Sequence, residues 1–152
     1  MMAMPPDVTI RPADIGDLDG LLTLYRELNP SDPALPRETA ENAFAQMLTQ
    51  PGLTVFIAEQ DDRVVSTATL IVIPNLTRSA RPYGLIENVV TLSRMRGGGL
   101  GRAVVRHAIG VGFAANCYKV MLLTGRHSAE VHRFYEGCGF VQDKTGFQIR
   151  ND

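Results

Sequence analysis

Apolar positions repeat along the first half of the chain in two rhythms. Residues 8–11 alternate apolar and polar before Pro12, which predicts a short strand. Ile15, Leu18, Leu22, Tyr25 and Leu28 then recur at helical spacing behind Asp14, an N-cap candidate, with acidic Asp17 in the first turn. Asn29-Pro30 ends that helix, and the prolines of residues 30–36 demand a loop. A second helix runs from about Arg37, with Ala40, Phe44, Met47 and Leu48 on one face, until Pro51-Gly52 stops it. Residues 53–59 and 64–73 predict two strands around Gln60-Asp61-Asp62-Arg63, a hairpin turn by composition. A polar loop over residues 75–82 leads into another extended run.

That run, residues 84–92, is almost continuously apolar apart from Glu87 and Asn88, the pattern of a strand covered on both faces. It meets Arg96-Gly97-Gly98-Gly99-Leu100-Gly101-Arg102 and then a long apolar-periodic helix starting at Gly99. Glycines lack Cβ, so successive backbone N–H groups can converge on one point. The helix adds its unpaired N–H groups and the positive end of its dipole, and the two arginines add full charges. Such a turn is a phosphate cradle. It is neither a P-loop, because Arg102 and Ala103 follow Gly101 where Lys and Ser or Thr are needed, nor a dinucleotide fingerprint, whose last glycine falls on Arg102 or Val104. Residues 118–124 predict another buried strand. Ser128 is placed to cap a helix carrying Tyr135, and residues 140–142 and 147–150 predict two final strands. The class is α/β.

Two motifs carry a resemblance. The turn reads R-x-x-G-x-G, and Phe134-Tyr135-Glu136-Gly137-Cys138-Gly139-Phe140 reads F-Y-E-x-x-G-F. Together they resemble the GNAT acetyltransferase superfamily over most of residues 8–150, and within it the glucosamine-6-phosphate N-acetyltransferases and their bacterial relatives. The resemblance implies the GNAT fold: a mixed, mostly antiparallel central sheet splayed between two parallel strands and flanked by about four helices. It implies acetyl-CoA as co-substrate, with its pyrophosphate on Arg96, Gly97, Gly98, Gly99, Leu100, Gly101 and Arg102. Backbone N–H groups around Val89, Val90 and Thr91, freed by a bulge, would meet the developing oxyanion. Tyr135 becomes the acid for the departing thiolate, with packing beside Phe134 as its bland alternative. Ser128 stands where the family often has an Asn that contacts the pantetheine arm, and it reads equally as an N-cap.

Glu87 is the candidate base. A carboxylate on a central apolar strand is costly to bury unless it is paired or its pKa rises, and a raised pKa suits a base. Asn29, Arg78, Asn88 and Arg126 join Glu87 as candidate acceptor contacts; the arginines could receive an anionic acceptor and read equally as surface cations. The reading is an N-acetyltransferase acting on a primary amine of a small molecule, an amino sugar or similar, by direct transfer in a ternary complex. A protein or peptide N-acetyltransferase and a silent acyl-CoA-binding module are its rivals. The resemblance also implies a homodimer built partly from residues 147–150.

Composition narrows the rest. At 152 residues, 45% hydrophobic and 20% charged, the chain reads as one globular domain over residues 1–152, with residues 1–7 flexible. A formal net charge of −1 gives no general attraction to nucleic acid or to an anionic membrane, and no apolar run reaches spanning length. The cysteines, Cys117 and Cys138, and the histidines, His107, His127 and His132, have no metal-like spacing, so no metal is expected. The opening Met1-Met2-Ala3-Met4-Pro5-Pro6 lacks the basic and apolar regions of a secretory leader. With two free thiols, the expected location is the cytoplasm.

Overall fold

Five strands form one sheet in the order β1-β2-β3-β4-β5. The computed structural model describes residues 7–152, so the expectation of a flexible start falls mostly on residues 1–6, outside the described residues. Asp7 is described, and its carboxylate accepts a hydrogen bond from Gln60 at 3.0 Å. The strands are β1 (Val8–Pro12), β2 (Leu53–Gln60), β3 (Arg63–Ile73), β4 (Tyr83–Thr91) and β5 (Val120–Met121). Neighbours from β1 to β4 are antiparallel, and β4 pairs parallel with β5. This is the mixed sheet expected for the fold.

Between β1 and β2 lie a 3₁₀ turn (Ile15–Asp17), α1 (Leu18–Leu28) and α2 (Arg37–Thr49). Asp14 caps the 3₁₀ turn: its carboxylate accepts from the Gly16 N–H at 2.9 Å, and Asp17 accepts from the Asp14 N–H at 2.7 Å. Asp17 also takes two hydrogen bonds from Arg11, which reaches Glu59 as well, so β1, β2 and the start of α1 share one cation. The β2–β3 turn has positive φ at both Asp61 and Asp62, the type I′ geometry that matches strand twist. Residues of α3 (Thr77–Ala80) form a left-handed turn, with φ near +60° at Arg78, Ser79 and Ala80. Helix α4 (Leu100–Ala114) crosses from β4 to β5, and α5 (Ala129–Gly137) follows.

Strand alternation divides the core. Val55 and Ile57 pack under α1 and α2 with Leu18, Leu21, Ala40 and Phe44. Phe56, Ala58, Ala68 and Leu70 point the other way and meet Val104, Val105 and Ala108 of α4. Each full burial of a Leu or Ile in these clusters is worth roughly 1.5–3 kcal/mol.

Two expectations fail at the C-terminal end. The strand expected over residues 118–124 shrinks to Val120–Met121, because β5 stays beside β4 only at Gly84↔Val120 and Leu85↔Met121. The final strands expected over residues 140–142 and 147–150 are not formed: no strand follows Gly137 among the described residues. Phe147 and Ile149 are 91% and 97% exposed. Their alternation supplies a strand-like side-chain pattern but no sheet edge of the same chain meets it, and alternation without a partner buries nothing.

Candidate active site

Where β5 leaves β4, a cleft of about 990 Å³ opens. Its walls come from the second half of β4, the glycine turn, the loop of residues 122–126 and the inner face of α5. The second half of β4 is shaped by a bulge. Glu87 pairs with Thr69 and the next pair is Val90↔Thr67, so Asn88 and Val89 together face Ala68. Asn88 takes a φ of +54°, a conformation that Asn tolerates better than most residues.

The bulge redirects the backbone. The Gly84 N–H donates toward β5, to the Lys119 carbonyl, at 2.9 Å. An even number of residues later, the Leu92 N–H donates toward β3, to the Val65 carbonyl, at 2.9 Å. On an unbroken strand both would face one edge, so the extra residue has reversed the phase. The N–H groups of Val89 and Thr91 therefore face the β5 side, where β5 no longer pairs. They are donors without a strand partner on the cleft wall. Side chains follow the same logic: Val90 is 5% exposed and packs in the core, as ordinary sheet filling.

The glycine turn forms the adjoining wall. Gly97 and Gly99 hold φ of +86° and +85°, which an L side chain rarely adopts. Gly99 is the N-cap of α4, and its carbonyl accepts from the Ala103 N–H at 3.0 Å, leaving the N–H groups before Ala103 at the helix mouth. A Cβ on Gly101 would lie 2.9 Å from Thr91 Oγ1 and 3.4 Å from the Phe134 ring, so only glycine lets α4 approach β4 so closely. Thr91 Oγ1 is itself held at 2.7 Å by Ser66. Arg96 and Arg102 line the cleft with Gly97, Gly99, Leu100 and Gly101. Gly98 belongs to the turn but does not face the cleft. Convergent N–H groups, a helix N-terminus and two guanidinium groups fit a pyrophosphate.

Glu87 and Tyr135 stand on opposite walls. Glu87 is exposed, which corrects the doubly covered strand read from its neighbours. The parting of β4 and β5 leaves this carboxylate open to solvent. Tyr135 is half-buried, edge-on to Phe134 and Phe140 at 5.0 and 6.1 Å between ring centroids. Burial holds its phenol above the ordinary range, with Cys138 and Glu87 pushing the same way and Arg126 opposing. Ser128 lines the cleft and also caps α5, accepting from the Val131 N–H at 3.3 Å, so both sequence readings of it are compatible.

Of the remaining acceptor candidates, Asn29, Asn88 and Arg126 line the cleft. Arg126 donates to the Leu28 carbonyl at 3.4 Å and so ties the loop before α5 to the end of α1. Arg78 is not brought to them: it lies over the Tyr118 ring at 5.7 Å, outside the cleft. Its neighbour Arg81 donates to the carbonyls of Asn116 and Cys117 beyond the end of α4. Arg150 is a cleft residue that sequence reasoning assigned to a strand, and nothing local signals its position. Among the described residues no group of His, Cys, Asp and Glu has a metal-binding arrangement, and no helix is long and apolar enough to cross a membrane.

Comparison with known proteins agrees with this geometry. The model of the acetyltransferase (GNAT) family matches residues 21–140. A glucosamine 6-phosphate N-acetyltransferase of Trypanosoma brucei brucei is 33% identical over 136 residues, 88% of this chain and 89% of that one. Among solved structures, a putative acetyltransferase from Agrobacterium tumefaciens str. C58 is 64% identical with a TM-score of 0.92, covering 94% of this chain and 99% of that one. The glucosamine-6-phosphate N-acetyltransferase of Arabidopsis thaliana is 26% identical with a TM-score of 0.86, covering 95% and 99%.

Proposed function

The chain belongs to the acetyltransferase (GNAT) family and is an acetyl-CoA-dependent N-acetyltransferase, and from that premise we propose that its acceptor is the primary amine of a small amino sugar phosphate. The observation that carries this reading is the cleft itself. Unpartnered N–H groups of the β4 bulge, the glycine turn, Glu87 and Tyr135 all open onto one space. The similarity to glucosamine 6-phosphate N-acetyltransferases supports the acceptor class. So do Arg126 and Arg150, two cations on the cleft wall that suit an anionic sugar.

The chemistry divides among few groups. With both substrates in the cleft, the acceptor nitrogen lies against the acetyl carbonyl and the entropic barrier falls. The exposed Glu87 carboxylate takes the ammonium proton, directly or through solvent. The C–N bond forms, and the oxygen gaining charge is met by the Val89 and Thr91 N–H groups. The C–S bond then breaks while the Tyr135 phenol donates its proton to the leaving sulfur, and the second proton that the nitrogen loses as the amide forms restores the phenol through solvent. The elevated pKa keeps the phenol proton in place at neutral pH. Direct transfer in a ternary complex is the simpler course for this cleft, because both cysteines, Cys117 and Cys138, are buried away from its wall.

The reading extends to a homodimer in the cytoplasm. Exposed Phe147 and Ile149 give a second copy apolar surface to cover, and two unpaired thiols suit a reducing compartment. Light scattering that finds only monomer at micromolar concentration would remove the dimer. The acceptor is tested by acetyl-CoA-dependent thiol release with glucosamine 6-phosphate, glucosamine, spermidine and a lysine peptide. Fastest release with glucosamine 6-phosphate is expected; release with the peptide alone would replace this reading by a protein acetyltransferase.

A further inference from the structure

The chain enters the glycine turn through a 3₁₀ helix, Ser93–Met95, whose N-cap position is Leu92. An apolar side chain accepts no hydrogen bond, so the turn has no cap of its own. The cap comes from elsewhere. Glu27, at the end of α1, accepts the Ser93 N–H at 2.8 Å through Oε1. The same oxygen lies 3.9 Å from Nη2 of Arg96, and Arg96 Nε donates to the Thr91 carbonyl at 3.1 Å. Glu27 is not on the cleft wall, but the two residues after it, Leu28 and Asn29, are. One helix end thus touches the acceptor half of the cleft and, from behind, the segment that presents Arg96.

We infer that Glu27 is a positioning residue, a cap supplied by α1 that fixes residues 93–96, and with them Arg96, relative to the helix end lining the acceptor half. The inference rests on the reading of the glycine turn as the acetyl-CoA site. The acceptor oxygen matters more than the charge. Arg96 is half exposed and 3.9 Å is beyond hydrogen-bond length, so solvent screens the pair, whereas the Ser93 bond is short and direct. Glutamine keeps an oxygen at that place; alanine removes it.

Calorimetric titration of the intact chain with acetyl-CoA tests this, with melting curves confirming that each variant is folded at the titration temperature. Glu27→Ala should weaken binding about five- to tenfold, the equivalent of one lost cap. Glu27→Gln should stay within about twofold of wild type, a rescue that general loss of structure would not give. Glu27→Ala combined with Arg96→Ala should bind little worse than Arg96→Ala alone, because both act through one guanidinium. Wild-type affinity in Glu27→Ala, or equal damage by Gln and Ala, would overturn the inference. Wild-type affinity in Arg96→Ala would instead overturn the cofactor reading beneath it.

Discussion

The sheet from β1 to β4 and the chain beyond α4 are held in different ways. Strands β2 and β3 pair from Leu53↔Ile71 to Gln60↔Arg63 through a tight turn, and β3 continues against β4 as far as Ser66↔Thr91. Strand β5 touches β4 at two positions, after a crossover that includes all of α4. The first region buries two apolar clusters; the second leaves Leu123, Val141, Phe147 and Ile149 exposed. Yet the second region supplies Tyr135, Arg126 and Ser128, and its early departure from β4 is what opens the cleft. Buried apolar side chains are concentrated around the meander, and the proposed chemistry sits where the meander's last strand loses its neighbour.

Four substitutions and a pH series test this contrast. The largest effect should come from the loosely held side. Tyr135→Phe should lower turnover by about 10²–10⁴-fold with acetyl-CoA affinity and melting temperature nearly unchanged. Wild-type turnover should also show no alkaline loss from this group until above its ordinary value near ~10, since burial raises the phenol. Normal turnover in Tyr135→Phe, in an assay limited by chemistry, would reduce the residue to packing.

Next comes the meander. Leu70, 1% exposed between β3 and α4, should cost about 2–5 kcal/mol of unfolding free energy when cut to Ala. Denaturant unfolding that shows less than about 1 kcal/mol would mean the meander is not the stable half.

A smaller and pH-dependent effect is expected at Asp17. The hydrogen bond from Arg11 holds its carboxyl below the usual range, against the burial that would raise it. A depressed pKa contributes stability above the unfolded value near ~4 and loses it as pH falls through the folded value. The melting temperature should therefore fall more steeply below about pH 4 in wild type than in Asp17→Asn. Parallel curves would remove the Arg11–Asp17 pair from the acid response. The smallest effect is expected at Phe147: in dilute solution Phe147→Ser should change unfolding by no more than about 0.5 kcal/mol, because its ring is 91% exposed.

The same contrast governs how much could be read in advance. Periodicity located β1 to β4, α1, α2 and α4 because each buries its apolar residues against near neighbours. Asp14, the Asp61-Asp62 turn and the glycines announced themselves through local conformational demands. The bulge did not. Asn88 reads as one polar residue in an apolar run, and only the resemblance suggested that the ladder breaks there. Glu87 misled for a related reason: alternation says which face a residue takes, not whether a neighbouring strand has left. Phe147 and Ile149 carry a strand pattern that the chain does not use on its own. Glu27 and Ser93, or Arg150 and the cleft, meet through tertiary placement that no local signal encodes.

The proposed place of acetyl-CoA lies between the freed edge of β4 and the glycine turn. Amide chemical shifts of the uniformly ¹⁵N-labelled protein, followed during titration with acetyl-CoA, address it residue by residue. The largest shifts should fall on Val89, Thr91 and the amides from Gly97 to Arg102, with little change along β1 and β2. Shifts concentrated instead in the hollow between α1 and the β2–β3 hairpin, near Gly20, Asp62 and Arg63, would contradict it.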